Sequence, residues 1–533
     1  MSLRKDRSGH GRPGQVTLRP FGSVLVANRG EIALRVIRAC RELDVRSIAV
    51  FSDADAGARH VRAADAAVRI GPAPAAESYL RGDVIVEAAV AAGADAVHPG
   101  YGFLSEQAPF AEACAAAGLV FIGPSPETLA SLGDKLAARR AAMTQGVPIV
   151  PGTFEPLPAA SPASMDAIQV AAESVGFPLL VKAAAGGGGR GMRRADAPGE
   201  LPIAVAAAAR EAEAAFGDGS VYLERYVEGA RHVEVQLLGD AHGAVIALGE
   251  RDCSTQRRHQ KLVEEAPAPG LSPDQRRELH GLAVQVARTV GLRNAATAEF
   301  LMSAWGEFFF LEVNARLQVE HGVTELVAGV DLVHEQLWLA AGRRLSAPVL
   351  AAASAAAEPE RHAIEVRISA EDPARAFAPV PGRVTRWREP GGPGVRVDSA
   401  AEEGMQVGSD YDPLLAKVMV VADDRPAALS VLRRALLEFE TGGVQTTLPF
   451  HRWLLEHPAF LEGSLRTDLV DRDWDPAPGR EAAARLAVEV VARHVQTAGV
   501  GSTHDGVKSA EPASGEVPEW TLAARREATE RWP

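Results

Sequence analysis

The chain has 533 residues, and at ~150 residues per domain that length excludes a single small module and predicts three to four domains. Hydrophobic residues make up 47% and charged residues 23%, ordinary values for a soluble globular protein, with alanine filling much of the apolar share. Lys plus Arg (56) against Asp plus Glu (69) leaves a net charge of −13, so nothing in the balance attracts nucleic acid or an anionic membrane, and any bound anion must sit in a local basic cluster. The three cysteines, Cys40, Cys114 and Cys253, are too few, odd in number and scattered for a disulfide framework, and predict a reducing, cytoplasmic setting.

Residues 1–20 are basic and contain Gly and Pro, with no apolar core or cleavage site after them, and are read as a flexible tail. Residues 23–124 alternate short β-branched runs with helical patterns. SVLVAN (23–28), RSIAVFSD (46–53), AAVRIG (66–71) and LVFIGP (119–124) are predicted strands. GEIALRVIRACRELD (30–44) is an amphipathic helix, and further helices are predicted at 81–93 and 105–117. That order specifies a doubly wound parallel sheet. Asp53 ends the second strand, where a ribose-binding acid would sit, but the first turn carries only Gly30 and no G-x-G-x-x-G, which argues against a dinucleotide site.

A helical stretch at 125–145 leads into a second αβ region from about 147 to 340. Residues 345–360 (LSAPVLAAASAAAEPE) are read as a linker, too short and too weakly apolar to cross a bilayer. HAIEVRI, RVTRW, GVRVDS and AKVMVV, between 362 and 421, predict a mostly antiparallel third region closed by a helix at 425–438. Beyond Trp474 a helix-forming stretch (481–496) precedes a Gly/Ser/Pro/acid-rich, disordered segment (497–519) and a last amphipathic piece, EWTLAARREATERW, with Trp520, Leu522 and Trp532 as a candidate docking face. No internal repeat is present.

Three clusters carry chemistry. VKAAAGGGGRGM (181–192) places four successive glycines after a strand, a loop whose N–H groups can approach phosphate oxygens unobstructed, with Lys182 supplying a point charge. It is not a P-loop, because G-x-x-x-x-G-K-[ST] does not occur. In the second cluster, 296–325, two strands (about 296–303 and 308–314) flank a four-residue turn, Ala304–Glu307. The simplest register opposes Ser303 with Phe308 and therefore Glu299 with Glu312. Two like charges so placed repel unless a divalent cation lies between them, and Asn314 on the same face is a third oxygen ligand, a set suited to Mg²⁺ or Mn²⁺.

Period-two alternation then continues through Arg316, Gln318 and Glu320. A straight strand would carry Glu320 ~26 Å from Glu312, so a common site requires an irregular stretch near 315–321. Arg316 is suited to a planar oxyanion and Glu320 to a base. The third cluster, ERDCSTQRRHQKLVEEAPAP (250–269), gathers Arg251, Arg257, Arg258, His259 and Lys261, either as an anion pocket or as a charged loop paired with Glu264 and Glu265. Cys253 inside it is either a buried inert thiol or a reactive one.

Together these stretches resemble the biotin carboxylase family of ATP-grasp ligases over about residues 22–470. The resemblance rests on VANRGEIALRVIRACREL, HPGYGFLSE (98–106), FIGPSPETLASLGDK (121–135), KAAAGGGGRGM, RHVEVQ (231–236), ERDCSTQRRHQKLVEEAPAP, FLEVNARLQVEH and GSDYDPLLAKV (408–418), in the family's order. It implies an α/β and α+β multidomain fold: flexible tail 1–20, a parallel-sheet domain 21–135, an ATP-grasp domain 136–342 with a mobile glycine-rich lid at about 153–225, a connection 343–361, a mostly antiparallel β domain 362–475 and an extension 476–533.

By that resemblance Lys135 and Lys182 contact ATP phosphates, with Gly188 and Gly189 in the lid above them. Glu224, Arg225, Tyr226 and Val227 form the hinge strand at adenine, and His232, Gln256 and His259 hold the sugar and adjacent groups. Glu299, Glu312 and Asn314 are the metal ligands. Lys261, Arg316, Gln318, Val319 and Arg396 form the bicarbonate site, Glu320 is the general base, and Arg396 faces the ureido oxygen of biotin. The implied reaction passes through carboxyphosphate.

No lysine between two methionines occurs in the sequence, so the resemblance implies biotin on a separate carrier protein, a carboxyltransferase partner, and a homodimer within a larger complex that binds neither nucleic acid nor membrane. The final acceptor, whether acetyl-CoA, propionyl-CoA, a longer acyl-CoA or pyruvate, is not written in this chain. Ala185, Gly322 and Val380 depart from the family's usual glycine, proline and serine, and Gly322 predicts a looser backbone beside Glu320. A carbamoyl-phosphate synthase would need two homologous halves. An amino-acid ligase gives no reason for RRHQK and ARLQVEH, and a non-catalytic subunit gives none for intact ligands, base and lysines.

Overall fold

A computed structural model describes residues 19–133, 135–157, 162–184 and 192–477, together with 481, 485 and 488. The predicted helix at 481–496, the segment 497–519 and the terminal amphipathic piece lie outside the described residues but for those three positions.

Strands β1 (Ser23–Val26), β2 (Arg46–Ser52), β3 (Ala66–Gly71), β4 (Ala96–His98) and β5 (Val120–Phe121) pair in parallel in the order β3-β2-β1-β4-β5. Val24 and Val26 pack toward the helix α1 (Gly30–Glu42), and Leu25 and Ala27 toward a second core on the other face, which is why both parities of β1 are apolar. The predicted strands and helices fall where expected, and β4, unmarked by any β-branched run, adds a fifth strand. Asp53 sits on the surface paired with Arg69, Nε to Oδ1 2.6 Å, so no ribose-binding acid is aimed inward.

The central region begins with a small antiparallel sheet in which β6 (Leu179–Ala183) lies between β7 (Arg193–Ala195) and β8 (Val221–Arg225). It then builds an eight-stranded antiparallel sheet. The order is β13 (Phe308–Asn314), β12 (Asn294–Met302), β9 (Arg231–Gly239), β10 (Val245–Arg257), β11 (Gln260–Ala266), β14 (His362–Ser369), then the strands Leu414–Ala422 and Val395–Ser399. The antiparallel strands after residue 362 therefore extend the central sheet, joined to it by β11 and β14. Residues 345–360 are not an open linker: Ala347–Ala355 is a helix whose Val349 is buried against the α1 core, because an alanine run is a strong helix former once one apolar residue anchors it. Among the described residues no helix is long and apolar enough to cross a membrane.

Candidate active site

One face of the eight-stranded sheet carries the charges that converge on the site. Directly opposed residues share a face in an antiparallel sheet, and the register aligns Glu312 with Glu299, Glu299 with Glu234, and Glu234 with Arg251. Farther along it aligns Glu264 with Glu365, Arg367 with Lys417, and Lys417 with Asp398. The opposite face at that end is apolar, with Val263, Ile364, Val366, Ile368, Val418 and Val420 in one core. The helix His321–Ala328 covers the charged face, packing on β10, β11, β14 and the strand Leu414–Ala422. Between Thr255 and Gln256 one step on β10 matches two on β11. That irregularity brings Lys261 to the same face as Glu264 despite an odd sequence spacing.

The predicted Glu299–Glu312 opposition is present, reached by a different path. The turn holds three residues, because the Ser303 N–H donates to the Glu307 carbonyl and Met302 opposes Phe308. A bulge between Glu299 and Phe300 then absorbs one residue of β13 and restores the pair. Glu299 is buried and takes two donors, Lys261 Nζ at 3.0 Å and Asn314 Nδ2 at 3.0 Å, with His232 Nε2 3.1 Å away as an ion-pair partner. Burial alone would raise its pKa, but Lys261 and His232 hold it well below the carboxylate range. Burial disfavours the charged imidazole of His232, and Glu299 outweighs that and raises it. Glu299, Glu312 and Asn314 offer oxygen donors alone, which fits a hard divalent cation such as Mg²⁺ or Mn²⁺. Asn314 turns its amide nitrogen toward Glu299 and its oxygen toward Arg316 Nη2, 3.1 Å away, so binding a cation between the two would require that amide to turn over.

The backbone leaves strand geometry after Asn314 and stays irregular until helix His321–Ala328, as the spacing of Glu312 and Glu320 required. Arg316 is held by Glu106 (Nε to Oε2, 2.9 Å) and Gln318 (Nη1 to Oε1, 2.8 Å), and the Ala315 N–H also donates to Glu106. Glu320 is fully buried and accepts from Lys261 at 2.6 Å and from Arg367 Nη2 at 3.0 Å. Burial works against its charge, but Lys261, Arg367 and Arg251 together keep it well below the usual range, an anionic carboxylate at neutral pH. Lys261 also reaches Glu234 at 2.5 Å; burial disfavours its ammonium, and the three carboxylates raise it far more. The basic cluster 250–269 is thus neither an open anion pocket nor a loop paired with its own acids. It is the β10–β11 hairpin, and its acids face other strands: Glu264 bonds Arg367, and Glu265 bonds His362 and Arg425. Cys253 is buried, and burial pushes its thiol well above its ordinary value, which makes it inert.

Among the residues matched to the nucleotide, Lys182 and Arg139 both donate to the buried Glu224 carboxylate, and Arg139 also reaches the Val150 carbonyl at 2.8 Å. Arg225 and Tyr226 run extended, their N–H groups donating to the Pro151 and Pro178 carbonyls at 2.8 and 2.9 Å, with Val227 following. Gln256 is buried late on β10, and His259 occupies the exposed hairpin turn with Arg258, both at positive φ (68° and 45°). Lys135 opens the helix Lys135–Thr144. Ala185, Gly188, Gly189 and Arg190 lie outside the described residues.

Arg396 donates to Glu325 Oε2 at 2.7 Å and to both Asp398 oxygens. Glu325 also takes Arg35 of α1, which binds Asp331 at 2.7 Å, so the guanidinium is fixed from behind by the first domain. Sequence reading missed most of this second layer: Glu31, Arg35, Glu106, Glu234, Glu325, Arg367 and Lys417. The available signal was charge at alternate positions of apolar strands, as in HVEVQ and IEVRI, where a buried face leaves no solvent to explain it. Gly322 is not a loosened link, since a Cβ there would lie 2.2 Å from Met419 Sδ.

Known proteins match this chain along most of its length. Residues 20–129 match the family model "Biotin carboxylase, N-terminal domain", 134–348 "Carbamoyl-phosphate synthase L chain, ATP binding domain" and 365–472 "Biotin carboxylase C-terminal domain". A biotin carboxylase from Nostoc sp. is 47% identical over 454 residues, covering 84% of this chain and 98% of that protein. The alpha3 subunit of the biotin-dependent acyl-coenzyme A carboxylase of Mycobacterium leprae is 46% identical over 462 residues, 85% of this chain and 75% of that one. The biotin carboxylase domain dimer of Hydrogenobacter thermophilus 2-oxoglutarate carboxylase, solved with MgADP, ADP and bicarbonate, superposes with a TM-score of 0.80 at 43% identity, over 85% of this chain and 97% of that one.

Proposed function

Because the chain belongs to the biotin carboxylase family and is an ATP-dependent enzyme that carboxylates biotin, we propose that its charged sheet face carries out the first half-reaction of a biotin-dependent carboxylase. Such enzymes work with a biotin carrier and a carboxyltransferase; we propose that the biotin here is presented by a carrier protein outside these residues. The observation that supports this best is the convergence of Lys261 on Glu234, Glu299 and Glu320, because one cation there links the divalent-ion ligands to the candidate base.

In this reading Lys182 leaves Glu224 for the nucleotide's phosphates, with Lys135 and the lid glycines Gly188 and Gly189 completing the cradle. Glu224 to Val227 line adenine, and His232, Gln256 and His259 the adjoining groups. A divalent cation held by Glu299, Glu312 and Asn314 would neutralise phosphate charge and orient the γ-phosphoryl group. Bicarbonate is held by Arg316, whose fork Glu106 and Gln318 preset, and by Lys261, Gln318 and the Val319 backbone. As Lys261 turns toward that anion its hold on Glu320 weakens. The carboxylate's proton affinity rises, and Glu320 takes the bicarbonate proton while the freed oxygen attacks phosphorus. Carboxyphosphate and ADP form, and carboxyphosphate then splits into CO₂ and phosphate. The phosphate takes the N1′ proton of biotin, Arg396 steadies the ureido oxygen as negative charge develops there, and N1′ adds to the CO₂.

Relatives of similar identity carry different acceptor names, an acyl-coenzyme A for one and 2-oxoglutarate for another. That supports placing acceptor choice in the carboxyltransferase. A homodimer is proposed on the same likeness. Bicarbonate-dependent ADP release stimulated by free biotin tests the assignment: ATP hydrolysis indifferent to both would end it.

A further inference from the structure

Behind Glu320, under the helix His321–Ala328, two carboxyls face each other with nothing between them to neutralise. Glu264 on β11 and Glu365 on β14 are directly opposed and fully buried. Among the described residues Glu264 Oε2 and both oxygens of Glu365 have no hydrogen-bond partner. Glu264 spends its other oxygen on Arg367, 2.6 Å from Nε, and Arg367 Nη2 also grips Glu320 at 3.0 Å.

The cations facing this pair are otherwise engaged. Lys417, on the neighbouring strand, donates to the Val319 carbonyl at 2.7 Å and pairs with Glu31 of α1 at 3.3 Å. Lys261 is divided among Glu234, Glu299 and Glu320. From the helix above, Gly322 presents only backbone, an added Cβ there lying 3.6 Å from Glu365 Oε2; His321, beside it, donates its Nδ1–H to the Gln318 carbonyl at 2.7 Å and is held neutral by burial and by Lys417. Glu264 and Glu320 therefore share Arg367, and Glu365 feels the charge of Lys417 without a hydrogen bond from it. Two dry carboxylates with idle oxygens in direct opposition are unstable as a pair of anions, whereas one proton between them satisfies both.

We propose that Glu264 and Glu365 hold one proton between them, and that this acid pair is a positioning element that sets the charge behind Glu320 and hence the affinity for bicarbonate. Burial lifts both groups in the same sense, Glu264 to about 7 and Glu365 well above the carboxylate range. With the pair singly protonated, Glu320 feels one negative charge fewer and the anion enters. Loss of that proton at alkaline pH adds a charge beside Arg367, competes with Glu320 for the guanidinium, and repels bicarbonate. The inference deepens the bicarbonate reading and rests on it in its kinetic half alone.

Infrared spectroscopy of the full chain supplies a readout independent of turnover. The wild type at pH 7 should show the carbonyl stretch of a protonated carboxyl, shifted in D₂O and lost in Glu365→Gln. No such band, or a band that survives that substitution and also Glu264→Gln, overturns the proposal. In kinetics, the KM for bicarbonate of the wild type should climb with pH, approaching tenfold per unit above the pair's titration, while Glu365→Gln, which fixes the neutral state, stays within about twofold across the same range. Parallel profiles defeat the coupling to bicarbonate. Wild-type ATP hydrolysis that ignores bicarbonate would instead strike at the reading beneath it, leaving the infrared result to stand by itself.

Discussion

Lys417 Nζ, with no solvent exposure, donates to the Val319 carbonyl at 2.7 Å and so fixes the peptide that leads into Glu320. The ammonium is raised in pKa despite burial, because Glu31, Glu365 and Asp398 surround it. It is the joint of three segments: α1 through Glu31, the irregular 315–320 stretch through Val319, and its own strand in the charged sheet. Lys417→Met leaves Glu31 buried without its cation, a change that costs about 3–5 kcal/mol. Thermal unfolding should fall by roughly 6–20 °C, at about 2–4 °C per kcal/mol for domains of this size. A variant that melts with the wild type would show that the contact carries no weight.

Glu320→Gln removes the proton acceptor while keeping shape and one acceptor oxygen for Lys261. Bicarbonate-dependent ATP cleavage should fall by about 10²–10⁴, the usual contribution of a positioned base. Nucleotide affinity, measured by titration with ADP and Mg²⁺, should change only a few-fold, because Glu320 touches the metal ligands solely through Lys261. A variant with full bicarbonate-dependent turnover would remove Glu320 from the chemistry.

Much of this site is legible in the sequence where a geometric demand is local. The opposition of Glu299 and Glu312 follows from period two and a short turn, and the irregular stretch after Asn314 follows from asking one extended segment to serve one site. What period two cannot reveal is a bulge. The actual turn is one residue shorter than the simplest hairpin, and only the bulge at Glu299–Phe300 returns the pair to register. Nor can spacing show which distant charge neutralises a buried one: Arg316 meets Glu106 and Lys417 meets Val319, contacts 210 and 98 residues apart in sequence. Long-range pairing also explains why 250–269 reads as a basic patch and folds as a hairpin whose buried charges are claimed by other elements, Arg251 and Lys261 by Glu234, Glu250 by Arg276, and Glu264 by Arg367.

Gly322 follows Glu320 by two residues, inside helix His321–Ala328. A Cβ there would meet Met419 Sδ at 2.2 Å, and Met419 is itself fully buried opposite Glu365 and Arg396. Gly322→Ala should destabilise by about 1–3 kcal/mol through overpacking, more than the helix-propensity gain from alanine returns. In a Met419→Ala background the sulfur is gone and the same substitution should become neutral or favourable. Urea unfolding of the four proteins closes that cycle, and additive effects would contradict the steric account.

His451 tests the same layer from its far side. Its Nε2 donates to the Arg367 carbonyl at 2.7 Å, while Nδ1 is buried with no partner among the described residues. Burial lowers its pKa to about 4, from an ordinary value of 6.5, and only the carbonyl opposes that. Between those two pH values the unfolded chain binds a proton that the folded chain refuses. Stability from this group is therefore full above pH 6.5 and is lost as pH falls toward 4, by at most about 1.4 kcal/mol per unit and about 3 kcal/mol in all. Below pH 4 both states are protonated and the slope ends. His451→Gln keeps a donor for the carbonyl and does not titrate, so it should be the less stable protein at pH 7 and gain on the wild type as the pH drops. Denaturant unfolding of both at pH 7, 6, 5 and 4.5 measures the gap. Curves that stay parallel would mean that His451 is charged in the folded protein, and that the backbone of Arg367 is held by a cation instead of a neutral ring.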